Sequence, residues 1–157
     1  MSRNIKQAEE VLRESEERYR AVVEQSADGI WLFDPDTKRV LESNTRFQEM
    51  LGYTAEELRG LTNYDFVVHS DEDIDSTVGR KVEEGEKSTP EERKYRRSDG
   101  TLLDVEVNGT LVSYRGREVV CSMARDITER KRIEERLRES EERLRAIFEV
   151  IASRNGI

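Results

Sequence analysis

Apolar residues are spaced at two periods along this chain: helical at both charged ends, and alternating or clustered in between. Ile5, Leu12 and Tyr19 recur every seventh residue, with Ala8, Ser15 and Val22 three places after each. The same register returns downstream, with Leu137, Leu144 and Ile151 at heptad a positions and Ile133, Ser140 and Ile147 at d. An apolar 3-4 repeat on a charged helix predicts a coiled-coil seam; the plainer reading is a solvated helix packed on its own domain. Glu14 with Arg18, Glu16 with Arg20, Glu139 with Arg143 and Glu141 with Arg145 have i,i+4 spacing in the favourable order, each worth ~0.2–0.5 kcal/mol. Serine at one d position weakens each seam.

Between these ends the pattern shortens. Ile30 to Phe33 reads as a first strand, closed by the turn Asp34-Pro35-Asp36, and Arg39 to Glu42 as a second. Asn44 caps a helix running to Leu51, and Gly52 stops it. Thr54 and Glu57 form the capping box of a short helix anchored by Leu58. Ser70 with Asp73 opens a longer helix to about Glu84, with Ile74, Val78 and Val82 on one face. Two strands follow about Ser98-Asp99-Gly100, and Tyr114-Arg115-Gly116 turns into a last strand ending near Ala124.

Asp104, Glu106, Asn108 and Thr110 alternate with Leu103, Val105, Val107, Gly109 and Leu111, so the second set is expected to face the helices. Asn108-Gly109 also has the composition of a hairpin turn. The separate turn at Arg115-Gly116 favours a continuous strand. Strands, then short helices, then hairpin-connected strands predict an α+β domain with an antiparallel sheet.

The last strand runs through Arg125-Asp126-Ile127-Thr128-Glu129-Arg130-Lys131 into a helix that holds 14 charged residues among the 21 from Glu129 to Glu149. Asp126 and Thr128 are capping residue types, and Asp126 with Glu129 has capping-box spacing. Strand and helix are thus expected to be directly coupled. Leu12 to Ala21 returns 125 residues later as Leu137 to Ala146 with nine identities in ten. A period of this size is a whole domain plus connector, so the chain reads as cut from a tandem array. The expected division is 1–25 as an N-terminal helix, 26–128 as the domain, and 129–157 as an exit helix and the start of a further repeat.

Composition sharpens this division and removes several functions. The chain has 157 residues, 39% of them charged, and a net charge of -8. Clustered Lys and Arg outweighing nearby acids are missing, which argues against nucleic-acid or anionic-membrane partners. No run approaches the ~20 apolar residues of a membrane span. Cys121, the single cysteine, reads as a small core residue of a strand and suits a reducing, cytoplasmic setting. Asp71, Asp73 and Asp75 alternate like cation ligands, but Ser76 stands where the calcium loop needs glycine and Val82 where it needs glutamate. These acids fit the positive end of the following helix. No phosphate loop, zinc set or base-activated nucleophile can be assembled, so an enzyme is the least favoured class.

Asp28-Gly29-Ile30, Asp34-Pro35, Asn44, Met50-Leu51-Gly52-Tyr53, His69-Ser70-Asp71-Glu72-Asp73, Ser98-Asp99-Gly100 and the closing Asp126-Ile127-Thr128-Glu129-Arg130-Lys131 occur in the order of a PAS domain with its PAC motif. The resemblance covers roughly a hundred residues and is specific for the fold rather than for a ligand. It implies a five-stranded antiparallel sheet with short helices on one face. It further implies that Phe47, Met50, Leu51, Phe66, Val78, Val82, Tyr95, Val107, Ser122 and Ala124 face one cavity, joined by Trp31 and Phe33. Gly109 and Ala124 would leave space there, either for ordinary core packing or for a small ligand.

The resemblance also bears on cofactors. A haem-binding member would need an axial histidine in the helix after His69, the only histidine, and none stands there. His69 itself reads as a surface residue before a helix cap. Covalent flavin chemistry would need a cysteine around Asn63 to Phe66; Cys121 lies elsewhere, and Ala124 stands where a flavin-contacting glutamine is expected. The cofactor is therefore unassigned, with haem and covalent flavin disfavoured. Two functions remain open. In one, the domain is the input module of a larger bacterial receptor, a histidine kinase or cyclic-dinucleotide enzyme, that passes cavity state through Asp126-Ile127-Thr128 to a coiled coil. In the other, it is a ligandless dimerisation spacer. Both imply a homodimer through Leu12, Tyr19, Val22, Ile133, Leu137, Leu144 and Ile147.

Overall fold

The computed structural model describes residues 2–84 and 89–156. The order is α1 (Ser2–Glu24), β1 (Gly29–Phe33), β2 (Val40–Ser43), α2 (Thr45–Leu51), α3 (Ala55–Arg59), α4 (Asn63–Phe66) and α5 (Asp71–Glu84), then β3 (Glu91–Arg96), β4 (Leu102–Tyr114), β5 (Arg117–Asp126) and α6 (Thr128–Arg154). The strands form one antiparallel sheet in the order β2-β1-β5-β4-β3. The expected α+β architecture is present, and β4 runs unbroken through Asn108-Gly109. The β4-β5 hairpin turns where Arg115 and Gly116 take φ of 50° and 78°, the left-handed pair a two-residue hairpin loop requires.

Local signals set the short helices. Asn44 is 1% exposed and uses both ends of its amide. Its Oδ1 accepts from the backbone N–H of Ile30 and of Phe47, each at 2.9 Å. Its Nδ2 donates to the carbonyls of Val23 at 2.9 Å and Asp28 at 3.1 Å. One side chain thereby ties the end of α1, the start of β1 and the first turn of α2 together. Gly52, at φ 76°, ends α2. The box of Thr54 and Glu57 closes with both hydrogen bonds, at 3.1 and 3.0 Å. Ser70 Oγ accepts from the Asp73 amide at 3.2 Å, placing Asp71, Glu72 and Asp73 in the first turn of α5.

Sheet register aligns the inward side chains. Trp31, Ser122 and Gly109 form one row across β1, β5 and β4, and Gly29, Ala124, Val107 and Glu91 form another reaching β3. Helix α2 sits hard on the first strand: a Cβ on Gly29 would meet Met50 Sδ and Phe47 Cδ1, both at 2.9 Å. Cys121 lies on the opposite face from Val120 and Ser122 and is only partly buried. The expectation of a core cysteine therefore fails on strand alternation, although burial still pushes its thiol pKa up.

The chain divides into two units, Met1–Asp126 and Ile127–Ile157. In the second, α6 contains no buried residue. Its N-cap position is Ile127, whose side chain makes no capping bond. The N-cap role expected of Asp126 thus falls to an apolar residue; Asp126 ends β5, paired with Val105, and Thr128 is the helix's first residue. Ion pairs on the terminal helices include Glu10 with Arg13, Arg130 with Glu134 and Glu135 with Arg138, while among the described residues the four expected i,i+4 pairs are not within 4.0 Å. Exposed pairs of this kind contribute little and exchange readily. No helix among the described residues is long and apolar enough to cross a membrane.

Candidate ligand cavity

Between the inner face of the sheet and α5 lies a cavity of about 650 Å³. Seven of the expected wall residues line it: Trp31 and Phe33 on β1, Tyr95 on β3, Val107 and Gly109 on β4, Ser122 on β5 and Val78 on α5. The other six do not. Phe47, Met50, Leu51, Phe66 and Ala124 are buried in the solid core beside the cavity. Val82 borders a different cavity, of about 420 Å³, under the β1-β2 turn. Ala124 leaves no space, because its cross-strand neighbour Gly29 admits Phe47 and Met50 against the sheet. Gly109 lines the cavity but leaves no free space at its own Cα, because an added Cβ would crowd Val120 Cγ1 at 3.1 Å.

Aromatic rings form the boundary between core and cavity. Trp31 stacks on Phe47 with centroids 5.0 Å apart and meets Phe66 edge-on at 5.2 Å. Phe66 in turn meets Tyr95 edge-on at 5.3 Å. Such offset and edge contacts suit the ring quadrupoles. Burial pushes the Tyr95 phenol pKa up, with Arg93 opposing, so the ring keeps a neutral hydroxyl.

The polar part of the wall was not foreseen. Trp31 and Asn63 are 2% and 4% exposed, yet among the described residues the indole N–H meets no acceptor and the Asn63 side-chain carbonyl no donor. Both line the cavity. Lys81 is 8% exposed and its ammonium donates to the Thr89 carbonyl. Glu91 takes hydrogen bonds from Arg80 and Arg93, and Lys81 Nζ stands 4.0 Å from it. Arg93 also donates to Thr77 Oγ1 at 3.1 Å. His69 is exposed, as its loop position implied, but borders the cavity. Spacing on α5 could have found Lys81: it lies three residues after Val78, on the face that carries Ile74. Asn63 gave no signal, because its place in the wall depends on long-range packing.

A five-stranded sheet of this order, with its helices and a cavity on one face, defines the class of PAS sensory folds. The chain belongs to that family: a family model described as PAS fold matches residues 17–127. It is similar to the methyl sulfide methyltransferase-associated sensor of Methanosarcina acetivorans, with 29% identity over 150 residues, covering 92% of this chain and 14% of that protein. The sensor histidine kinase TmoS of Ectopseudomonas mendocina is 29% identical over 143 residues, covering 89% of this chain and 15% of the relative. This chain thus corresponds to a small part of each curated relative. Among solved structures, the PAS domain of an HTR-like protein from Haloarcula marismortui superposes with a TM-score of 0.68 at 28% identity, covering 78% of this chain and 99% of that one.

Proposed function

We propose that this domain is a ligand-sensing input module of a larger receptor, in which cavity occupancy shifts β5 and the Asp126-Ile127-Thr128 junction passes the shift to α6. The observation carrying this reading is the cavity of about 650 Å³ against the inner face of the sheet, two of whose lining residues, Trp31 and Asn63, each keep a buried polar atom without a partner among the described residues. Leaving either unsatisfied costs about 1–3 kcal/mol, which a purely structural core would avoid and a bound molecule recovers. We divide the chain at 1–25, 26–128 and 129–157, place it in the cytoplasm, and assign the domain no reaction of its own. The output belongs to a C-terminal effector, with a histidine kinase favoured by the name of one relative. Extraction of the purified protein followed by mass spectrometry is expected to release a small molecule that the Gly109→Leu variant, still folded, does not retain. Hydrogen exchange across residues 126–131 should differ between loaded and emptied protein. A cavity that yields nothing, with exchange unchanged, leaves the ligandless spacer.

The receptor is a homodimer in this reading, joined through its terminal helices. Leu12, Tyr19 and Val22 on α1 are 60%, 75% and 67% exposed, and Ile133, Leu137, Leu144 and Ile147 on α6 are 50–64% exposed. An apolar line on charged helices, interrupted at Ser15 and Ser140, is what a parallel partner covers. Leu12→Glu combined with Leu144→Glu should convert the dimer to monomer in sedimentation. A parent chain already monomeric at high concentration would remove the seam from the account.

A further inference from the structure

We propose that the last turns of α6 are the docking surface for a second domain of this same type, carried farther along the receptor chain, and that Phe148 and Glu149 hold it as Val23 and Glu24 hold the present one. The proposal rests on the tandem reading of residues 129–157 and is independent of what the cavity binds. Residues 12–21 and 137–146 agree at nine positions in ten, and the same 125-residue offset carries Val22, Val23 and Glu24 to Ile147, Phe148 and Glu149. The entry to β1, Ser26-Ala27-Asp28-Gly29-Ile30, returns as Ser153-Arg154-Asn155-Gly156-Ile157, two residues later than that offset places it. The extra two residues fall in the connector, where insertions are tolerated. Helix and strand entry thus both recur, in the same order, as a repeat of whole domains requires.

In the first copy these residues are gripped by the domain. Glu24 accepts hydrogen bonds from the Thr45 backbone N–H at 3.1 Å and from the Thr45 hydroxyl at 2.6 Å. The Val23 carbonyl accepts from Asn44 Nδ2 at 2.9 Å, and Arg46 Nε donates to the Ala27 carbonyl at 3.2 Å. Three successive residues, Asn44 to Arg46, therefore hold the end of α1 and its connector. In the heptad register Val22 is at d, while Val23 and Glu24 are at e and f, beside and behind the seam. Exposure follows this division: Val22 stays 67% exposed, whereas Val23 is partly buried. On α6 the equivalents are uncovered. Phe148 is 76% exposed, the highest value for a large hydrophobic side chain among the described residues, and Glu149 is exposed as well. Phe148 at e and Val150 at g, 59% exposed, widen the apolar stripe beyond the a and d line that a parallel twin would cover. A dimer seam alone leaves Phe148 unexplained, and a gripping domain accounts for it. Helix α1 stops at Glu24, where it is gripped, whereas α6 runs on past Glu149 to Arg154. The a and d positions thus serve the twin helix, and e and f serve the next domain.

The receptor's coding sequence beyond Ile157 gives the first test. It should encode an asparagine followed by serine or threonine 14 residues on, as Asn44-Thr45 stands 14 residues beyond Ile30, with ~5 residues of latitude for the turn between the strands. A stop codon, or a stretch without that pair, overturns the proposal. Amide hydrogen exchange reads the grip itself, in the receptor and in the 157-residue chain side by side. Glu24→Ala, which breaks a grip present in both, should speed exchange at residues 22–25 about tenfold in each. Glu149→Ala should do the same at residues 147–150 in the receptor and change nothing in the shorter chain. Glu142→Ala, one heptad earlier at the same f position, should be silent in both. These glutamates lie outside the cavity, so loss of ligand on extraction would fault the sensory reading and leave this one untouched. A Glu149→Ala effect of equal size in both proteins would mark a role within the helix alone, and an effect in neither would show that nothing grips it. Either result overturns the docking surface, as does a Glu24→Ala chain that exchanges like its parent.

Discussion

Under α2, α3 and α4 the inner face of the sheet is closed. Phe47, Leu51, Leu58 and Phe66 are all fully buried there, and the Asn44 amide is saturated by four hydrogen bonds. Under α5 the same strands carry a cavity, two polar atoms without partners among the described residues, and a cluster of charges. The helices explain the contrast. Helix α2 buries three of its seven residues, all apolar, and is fixed at both ends by Asn44 and Gly52. Helix α5 is twice as long, yet of its fourteen residues only Ile74, Val78 and Lys81 are buried. One region spends its sequence on specifying the fold and the other leaves that specification incomplete. Incomplete packing and polar satisfaction are what a bound molecule can supply, and they mark the low-stability end from which moving parts are drawn.

The largest effect expected from this contrast is in the closed region. Phe47 stacks on Trp31, meets Phe66 and Tyr95 edge-on, and lies against Gly29. Phe47→Ala should cost about 4 kcal/mol, transfer and cavity terms together, seen as a lowered midpoint in urea melting with one cooperative transition. A loss below ~2 kcal/mol would mean that the closed region collapses easily and is not the rigid half.

The same contrast accounts for what the sequence discloses and what it withholds. Caps and turns are local chemistry, and Asn44, Gly52, Thr54 with Glu57, Ser70 and Arg115-Gly116 were all legible. The inward set on β4 was legible from alternation alone, and the sheet resolved the Asn108-Gly109 ambiguity in favour of a continuous strand. The cavity was harder, because core and cavity walls share one apolar code. Phe47, Leu51 and Ala124 were grouped with Tyr95 and Val107, and only three-dimensional packing separates them. Lys81 and Arg93 were passed over because a charged residue on a half-exposed helix or strand ordinarily points to water. The helix start at Thr128 was read to within a residue, but the N-cap fell on Ile127, since strand pairing to Val105 carries Asp126 on into the sheet.

The smallest expected effect gives the cleanest test, because strand β4 places the same residue type in both regions. Val105 and Val107 are two residues apart, point to the same face and are flanked by the same strands. Val105 is 0% exposed in the closed core, while Val107 is partly buried and lines the cavity. Truncation to alanine removes the same two methyl groups from each. At Val105 the loss is transfer free energy plus an unfilled hole, about 2–3 kcal/mol. At Val107 one side already lacks packing partners, so fewer dispersion contacts are lost and the cost should be about 1 kcal/mol or less. Thermal and urea melting of Val105→Ala and Val107→Ala side by side would show the difference directly. Equal costs would mean that α5 closes on the sheet in solution and the cavity is filled by the chain itself. A Val107→Ala protein that melts nearly as the parent does, but retains less of whatever it extracts from cells, would place the open region in ligand binding rather than in folding.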